Sequence, residues 1–455
     1  MLDLLVKGNL YLDQFHYIAN GYLGIKDGLI QQIGKISGAV PAADEVCDAT
    51  GMLILPGVVD CHVHCLDDVS EGYKNATTAA AAGGVTTLID HPIDVGGAPL
   101  KSADIERKRL LAEENAIVNV GFLAGASPDN LDALTEPAAA GIVGYKALMH
   151  RTAPEKMREL NDGELYETFL QVAKTGLFVG VHAENDALVA HLIKRLRAAG
   201  RCDLQAHLDS RPLVSEMEPV SRALEFAIAT GVRLHIFHVS HPRGFELVES
   251  AKKRSPFITA ETCPQYLIFD SDDFLHIGTR AKINPPMRHN VREELWQLLR
   301  SGQIDLIGSD HAPQSIERKN QPVVFDNSSG MPGVETGLTL MLSEGVAKGR
   351  IGLGDLIRVM CENPSKLAGL YPQKGVLHVG SDADLVLVDP NREWVITAPL
   401  LHYQIGWTPY EGKSVKGKVI STLVNGKWVY KEEEICGKPE MAKTVRPVNL
   451  CKEAR

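Results

Sequence analysis

The sequence predicts an α/β fold, a (β/α)8 TIM barrel accompanied by a small β-sandwich domain assembled from both ends of the chain. Three observations lead there. The middle of the chain repeats a unit of apolar strand, loop, amphipathic helix and glycine roughly every 30 to 40 residues. The two ends share a different texture, short alternating runs broken by turn residues. A length of 455 residues exceeds one ordinary core, yet it accommodates a barrel of about 250 residues with a satellite.

From Leu2 to about Leu53, "LVKGNLYLD", "GYLGIKDGLIQQIG" and "GMLIL" read as small strands. In the middle, "SRALEFAIATGVRLHIFHVS" sets Leu224, Phe226 and Ile228 in a helix closed by Gly231, followed by a β-rich run. "VREELWQLLRSGQIDLIGSDHAP" repeats the unit, with Val291, Leu295, Leu298 and Leu299 on one face and Gly302 as the stop. Near-continuous apolar strands between helices require a parallel sheet covered on both faces. About eight units fit between residues 54 and 370, which favours a closed barrel over an open doubly wound sheet. No GxGxxG stretch and no complete GxxxxGK[ST] stretch occurs, which lowers the nucleotide-binding alternative. After Gly375 the β texture returns in "DADLVLVDP", "EWVIT" and "VKGKVISTLVNGKWVYK", where Asn425-Gly426 is a hairpin signal. The expected division is residues 1–54 with 371–455 for the β domain and 55–370 for the barrel.

Composition narrows the function. With 44% hydrophobic and 23% charged residues the chain is globular rather than disordered. A net charge of −10, without any basic cluster, argues against a nucleic-acid partner. Asp3 and Lys7 interrupt the first apolar run, and no later run approaches the 18 or so residues of a membrane span, so a cytoplasmic protein is expected. The eight cysteines lack CxxC spacing and read as reduced thiols. Cys61 and Cys65 flank an HxH pair, but Cys61 alternates to the strand face opposite His62 and suits core packing.

Barrel chemistry collects at the C-terminal ends of the strands. Ionisable residues stand there at five places: His62 and His64 after "LILPGVVD", Lys146 after "GIVGY", His182 after "GLFVGV", His238 in "RLHIFHV", and Asp310 after "DLIGS". His62 and His64 are two apart on a strand, so both rings point to one side and can share an ion. His235 and His238 are three apart, so at most one lines the barrel; His238 lies nearer the strand end. Neutral imidazoles with a carboxylate suit Zn²⁺, yet two such ions would leave excess positive charge. A lysine beside dications is discouraged from holding its proton, and its neutral amine can add CO2 to give an anionic, bridging carbamate.

With these residues in place, the chain resembles the binuclear cyclic amidohydrolases, the group of hydantoinases/dihydropyrimidinases, allantoinases and dihydroorotases. The resemblance is carried by "PGVVDCHVH", "GYKALM", "VHAEN", "HVSH", "ETCPQYL", "KINPPMR", "GSDHAP", "SSGMPGVETGL" and "ENPSKLAGLYPQKGVLHVGSDADLVLVDP", in family order across nearly the whole chain. It implies His62 and His64 on one Zn²⁺, His182 and His238 on the other, N6-carboxylated Lys146 bridging them, and Asp310 as ligand and acid/base residue. The implied reaction is hydrolytic ring opening of a small cyclic amide or ureide. A homodimer or homotetramer is the implied assembly.

The substrate signals are mixed. Dihydroorotases share Asn284 in "NPPMR", but their pattern places an Arg two residues after the HxH pair and a His three after the "DH" step, for a substrate carboxylate. Here those positions are Leu66 and Gln314. Hydantoinases share the stretch holding Ser329 and Gly330, yet carry a Tyr where this chain has Arg151, preceded by His150. Asn284, Ser329, Gly330, His150 and Arg151 are therefore the candidate substrate contacts, and an allantoin-like or hydantoin-like ring is favoured over dihydroorotate. A non-catalytic oligomeric scaffold is the competing class; intact ligand positions argue against it. A serine hydrolase would need a GxSxG elbow, and none occurs.

Overall fold

The computed structural model describes residues 1–68, 70–151 and 155–448. Four N-terminal strands, β1 (Leu2–Tyr11), β2 (Tyr17–Lys26), β3 (Leu29–Lys35) and β4 (Ala43–Pro56), precede eight barrel strands. These are β5 (Val58–Val63), β6 (Val85–Asp90), β7 (Asn119–Ala126), β8 (Gly144–Leu148), β9 (Phe178–His182), β10 (Arg233–Ile236), β11 (Ile258–Thr262) and β12 (Leu306–Ile307). Four more, β13 (Leu385–Val395), β14 (Ser414–Val424), β15 (Lys427–Lys431) and β16 (Glu434–Ile435), follow the barrel.

The eight barrel strands pair side by side in sequence order, all parallel. Strands β5, β6 and β7 are buried along their full length, as a sheet covered by helices on one side and its own interior on the other requires. The ring closes through His311, which follows β12: its backbone N–H donates to the His62 carbonyl and its carbonyl accepts from His64 N–H. Closure therefore runs through the residues flanking the HxH pair, so the barrel seam and the site are one piece of structure.

The helical units end as their sequences dictate. Val214–Thr230 stops at Gly231 in the left-handed conformation, and Arg292–Arg300 ends just before Gly302, also left-handed. Leu295, Trp296 and Leu299 bury the inner face of the second of these helices.

The chain ends meet in one eight-stranded mixed sheet, ordered β16-β15-β14-β13-β4-β1-β2-β3, in which only β1 and β4 run parallel. Val6, Leu23, Ile54, Leu385 and Leu423 contribute to a core of its own. Asn425 and Gly426 turn β14 into β15 with both residues at positive φ, the hairpin the dipeptide announces. The described cysteines are free, and Cys61 is buried away from the site with its thiol against the Pro364 carbonyl; Cys451 lies outside the described residues.

Candidate metal centre

A cavity of about 650 Å³ opens at the C-terminal end of the barrel strands. His62, His64, Lys146, His182, His238 and Asp310 all line it. They come from five strands or strand ends, which only barrel closure brings together. The His62 and His64 ring centroids are 5.4 Å apart, His62 and His238 5.4 Å, and His182 and His238 4.6 Å. Asp310 Oδ1 lies 3.1 Å from His62 Nε2 and 3.5 Å from His64 Nε2. His238 and Asp310 both adopt positive φ, a conformation that costs a non-glycine residue about 1–3 kcal/mol and persists where surrounding structure enforces it.

Lys146 sits in the middle of β8 with its side chain inside the barrel, 2% exposed, its amine 3.9 Å from the Phe237 ring centroid. Phe237 is the apolar floor: His62 and His91 pack on the same ring at 4.7 Å. That floor exists because β9 carries glycine at 180, where a Cβ would stand 2.0 Å from the ring. Burial pushes the Lys146 amine down to about 8, despite Asp310 and Glu261 nearby.

Behind the cavity wall, carboxylates fix the rings. Glu261, fully buried at the end of β11, accepts from His62 Nδ1, His235 Nε2 at 3.3 Å and the His238 backbone N–H at 3.2 Å. Burial opposes its charge, but His62 and His235 hold it well below the usual carboxylate range. Glu184 takes His182 Nε2 at 2.8 Å and pairs with Arg211 at 3.2 Å, which holds this carboxyl low as well. His62 is thus oriented through Nδ1, which leaves Nε2 on the side of Asp310. Glycine at 308 makes room, since a Cβ there would meet Glu261 Oε2 at 2.7 Å and His62 Cβ at 2.8 Å.

The donor set fits a metal. His64, His182 and His238 are held neutral, chiefly by burial, as ligation requires. His62 differs: burial disfavours its charge, but Glu261 and Asp310 outweigh that and raise it to about 8. Among the described residues His64 Nδ1 and His238 Nδ1 are buried without a hydrogen-bond partner, a costly arrangement unless something else satisfies them.

Sequence reasoning missed three parts of this site. His91, after β6, stacks on His62 at 4.0 Å, and ligand atoms of His62, His64 and His91 lie within 4.8 Å of one another. Its Nε2 is engaged by the Cys61 carbonyl at 3.0 Å. Both His91 and Glu261 are ionisable residues ending apolar runs, so the criterion that found the other six applies to them too. Arg211 carries no local signal, because its partners Glu184 and His150 reach it from other elements.

Among the candidate substrate contacts, Asn284, Ser329 and Gly330 line the cavity, and Asn284 Oδ1 is buried without a partner among the described residues. His150 lines it as well, with Nδ1 3.0 Å from Asp186 and Nε2 3.3 Å from Arg211. Arg151 lines it too, at the exposed rim, with its guanidinium hydrogen-bonded to Glu159.

A barrel of this topology with histidines and a carboxylate converging at its mouth defines a metal-dependent hydrolase of the barrel type. The chain belongs to the amidohydrolase family: the profile described as "Amidohydrolase family" matches residues 53–429. It is similar to an L-hydantoinase of Paenarthrobacter aurescens, 37% identical over 96% of both chains. It is also similar to an allantoinase of Deinococcus radiodurans, 36% identical over 99% of this chain and 100% of that one. Among solved structures, the L-hydantoinase (dihydropyrimidinase) from Arthrobacter aurescens superposes with a TM-score of 0.94 at 34% identity, covering 98% of this chain and 100% of that one. Among the described residues no helix is long and apolar enough to cross a membrane.

Proposed function

We propose that the protein is a zinc-dependent cyclic amidohydrolase that opens a small cyclic amide or ureide, hydantoin-like or allantoin-like. The observation that carries this reading is the meeting of His62, His64, Lys146, His182, His238 and Asp310 in one cavity. In it, His62 and His64 hold one Zn²⁺, His182 and His238 the other, and Asp310 and a carboxylated Lys146 complete the set. Lys146 suits that role because its buried amine releases a proton near pH 8 and can then bond CO2, shedding one more proton as the carbamate forms. When bound, the metals supply a Lewis acid for the ring carbonyl and acidify water towards neutrality.

The chain's own residues do the rest. Asp310, beside His62 and His64, accepts the proton of the attacking water and returns it to the departing ring nitrogen. Asn284 Oδ1 and the Ser329–Gly330 backbone orient the ring. Leu66 and Gln314 disfavour dihydroorotate: a leucine offers no charge, and Gln314 Nε2 is spent on Asp67. His150 and Arg211, hydrogen-bonded to each other at the cavity wall, stand nearest the task that a tyrosine performs in hydantoinases.

The same reading makes residues 1–54 with 371–455 and residues 55–370 the two structural units. It places the enzyme in the cytoplasm as a homodimer or homotetramer, which light scattering reads directly. The experiment for the activity is a ring-opening screen of hydantoin, dihydrouracil, allantoin, dihydroorotate and cyclic imides with zinc-loaded enzyme, following the gain of one water by mass. Opening of hydantoin or allantoin is expected; turnover of dihydroorotate alone would refute the substrate assignment.

A further inference from the structure

Two segments carry the substrate wall. One runs from Thr279 to Asn284, and the other, residues 315–331, holds Ser329 and Gly330. Two buried lysines tie them together. Lys319 Nζ donates to the carbonyls of Lys282 at 3.0 Å, Ser328 at 3.1 Å and Gly330 at 2.7 Å. Lys282 Nζ donates in turn to the Asn327 carbonyl, and Gly330 N–H returns to the Lys282 carbonyl at 3.0 Å.

Lys319 is 1% exposed and does not line the cavity, while Lys282 is 6% exposed and does. Among the described residues neither amine pairs with a carboxylate; the nearest compensation for Lys319 is the Trp407 ring, its centroid 5.8 Å away. Burying an ammonium against carbonyls alone is expensive, and an apolar replacement of the same length would strip this donor from the Ser328 and Gly330 carbonyls and leave the Lys282 carbonyl only the Gly330 N–H. What the arrangement secures is the path of an irregular segment. Gly330, at φ 117°, packs so tightly on the Ala312 carbonyl that a Cβ would stand 2.6 Å from it.

We infer that Lys319, assisted by Lys282, is a positioning residue for substrate: it locks the Ser328–Gly330 backbone onto the Lys282–Asn284 segment, setting the distance between the two sides of the substrate wall. This rests on the assignment of Asn284, Ser329 and Gly330 as substrate contacts. Neither amine touches His62, His64 or Asp310, so the effect falls on binding rather than on proton transfer.

The test compares Lys319→Met and Asn284→Ala with the full-length zinc-loaded enzyme. Steady-state kinetics are measured on hydantoin or allantoin, with zinc content and amide exchange of residues 327–331 alongside. Lys319→Met should raise KM about tenfold, the equivalent of a hydrogen bond to a charged group, with kcat within about threefold. Zinc content should not change, and exchange should accelerate at 327–331 while the barrel strands stay protected. Unchanged KM and exchange would overturn the inference, as would parallel loss of zinc and kcat at constant KM. If Asn284→Ala leaves KM untouched, the substrate-wall assignment fails, and amide exchange alone then decides whether the lysines hold the loop. Should Lys319→Met not fold, Lys282→Met, which cuts a single side-chain tie, should raise KM about threefold at constant zinc content; no rise would count equally against the proposal.

Discussion

Asp310 Oδ1 lies 3.1 Å from His62 Nε2, although one residue follows the last barrel strand and the other sits in the first. The contact is made possible by the barrel seam, where His311 exchanges backbone hydrogen bonds with His62 and His64. Asp310 is therefore held against His62 and His64 by the main chain of the residue that follows it. Asp310→Asn keeps the shape and one acceptor oxygen but cannot take a proton. It should retain part of the metal and lose turnover by about 10³-fold or more, read by kcat and metal analysis on the same preparation.

Among the described residues Lys146 forms no ion pair with a carboxylate, and its amine rests on Phe237. Lys146→Ala should abolish metal retention and activity together, and millimolar acetate or propionate should restore part of both by filling the carbamate's place. Full zinc occupancy in the variant, with no effect of added acid, would exclude a bridging role.

Glu261 orients His62 and the His238 backbone without lining the cavity. Glu261→Gln should weaken zinc affinity about 10- to 100-fold, the usual effect of losing a carboxylate behind a ligating histidine, while the Asp310-dependent arm of the pH profile stays in place. Competition with a chelator of known affinity measures this.

On the proposed reading three protons leave as the metal-free site loads, one from His62 and one from the Lys146 ammonium, both titrating near pH 8, and a third as the carbamate forms. At fixed dissolved CO2, apparent zinc affinity should rise steeply with pH below about 8 and flatten above it. Stability of the metal-free protein follows with opposite signs. The Lys146 amine falls from 10.5 to about 8 on folding, so stability increases with pH across that window, where the unfolded chain alone binds the proton. His62 rises from 6.5 to about 8, so its contribution is present below 6.5 and is lost by about 8. Thermal melts between pH 6 and 10 should therefore dip near 8 and recover above it.

Much of this site was legible in the sequence because barrel strands deliver their end residues to one mouth. Any ionisable side chain ending an apolar run is then a candidate, and His62, His64, Lys146, His182, His238 and Asp310 all end such runs. What the criterion left out was the support. Glu261 and His91 satisfy it, but their roles depend on which ring each one faces, a fact of packing across strands and not of spacing along one. Arg211 and Lys319 are further from legibility, since each acts on groups that only the folded loops bring to it, a carboxylate and three carbonyls. The β domain was readable as strands from both ends, but the order in which β13 joins β4 within a single mixed sheet is a tertiary choice.

The most direct test is a crystal structure of enzyme loaded with zinc in bicarbonate, with anomalous data at the zinc edge. Two peaks about 3.5–4 Å apart are expected, one beside His62 and His64 and the other beside His182 and His238, with branched density extending from Lys146 Nζ between them. A single peak, or an unmodified Lys146 side chain lying on Phe237 with no metal beside it, would contradict the account.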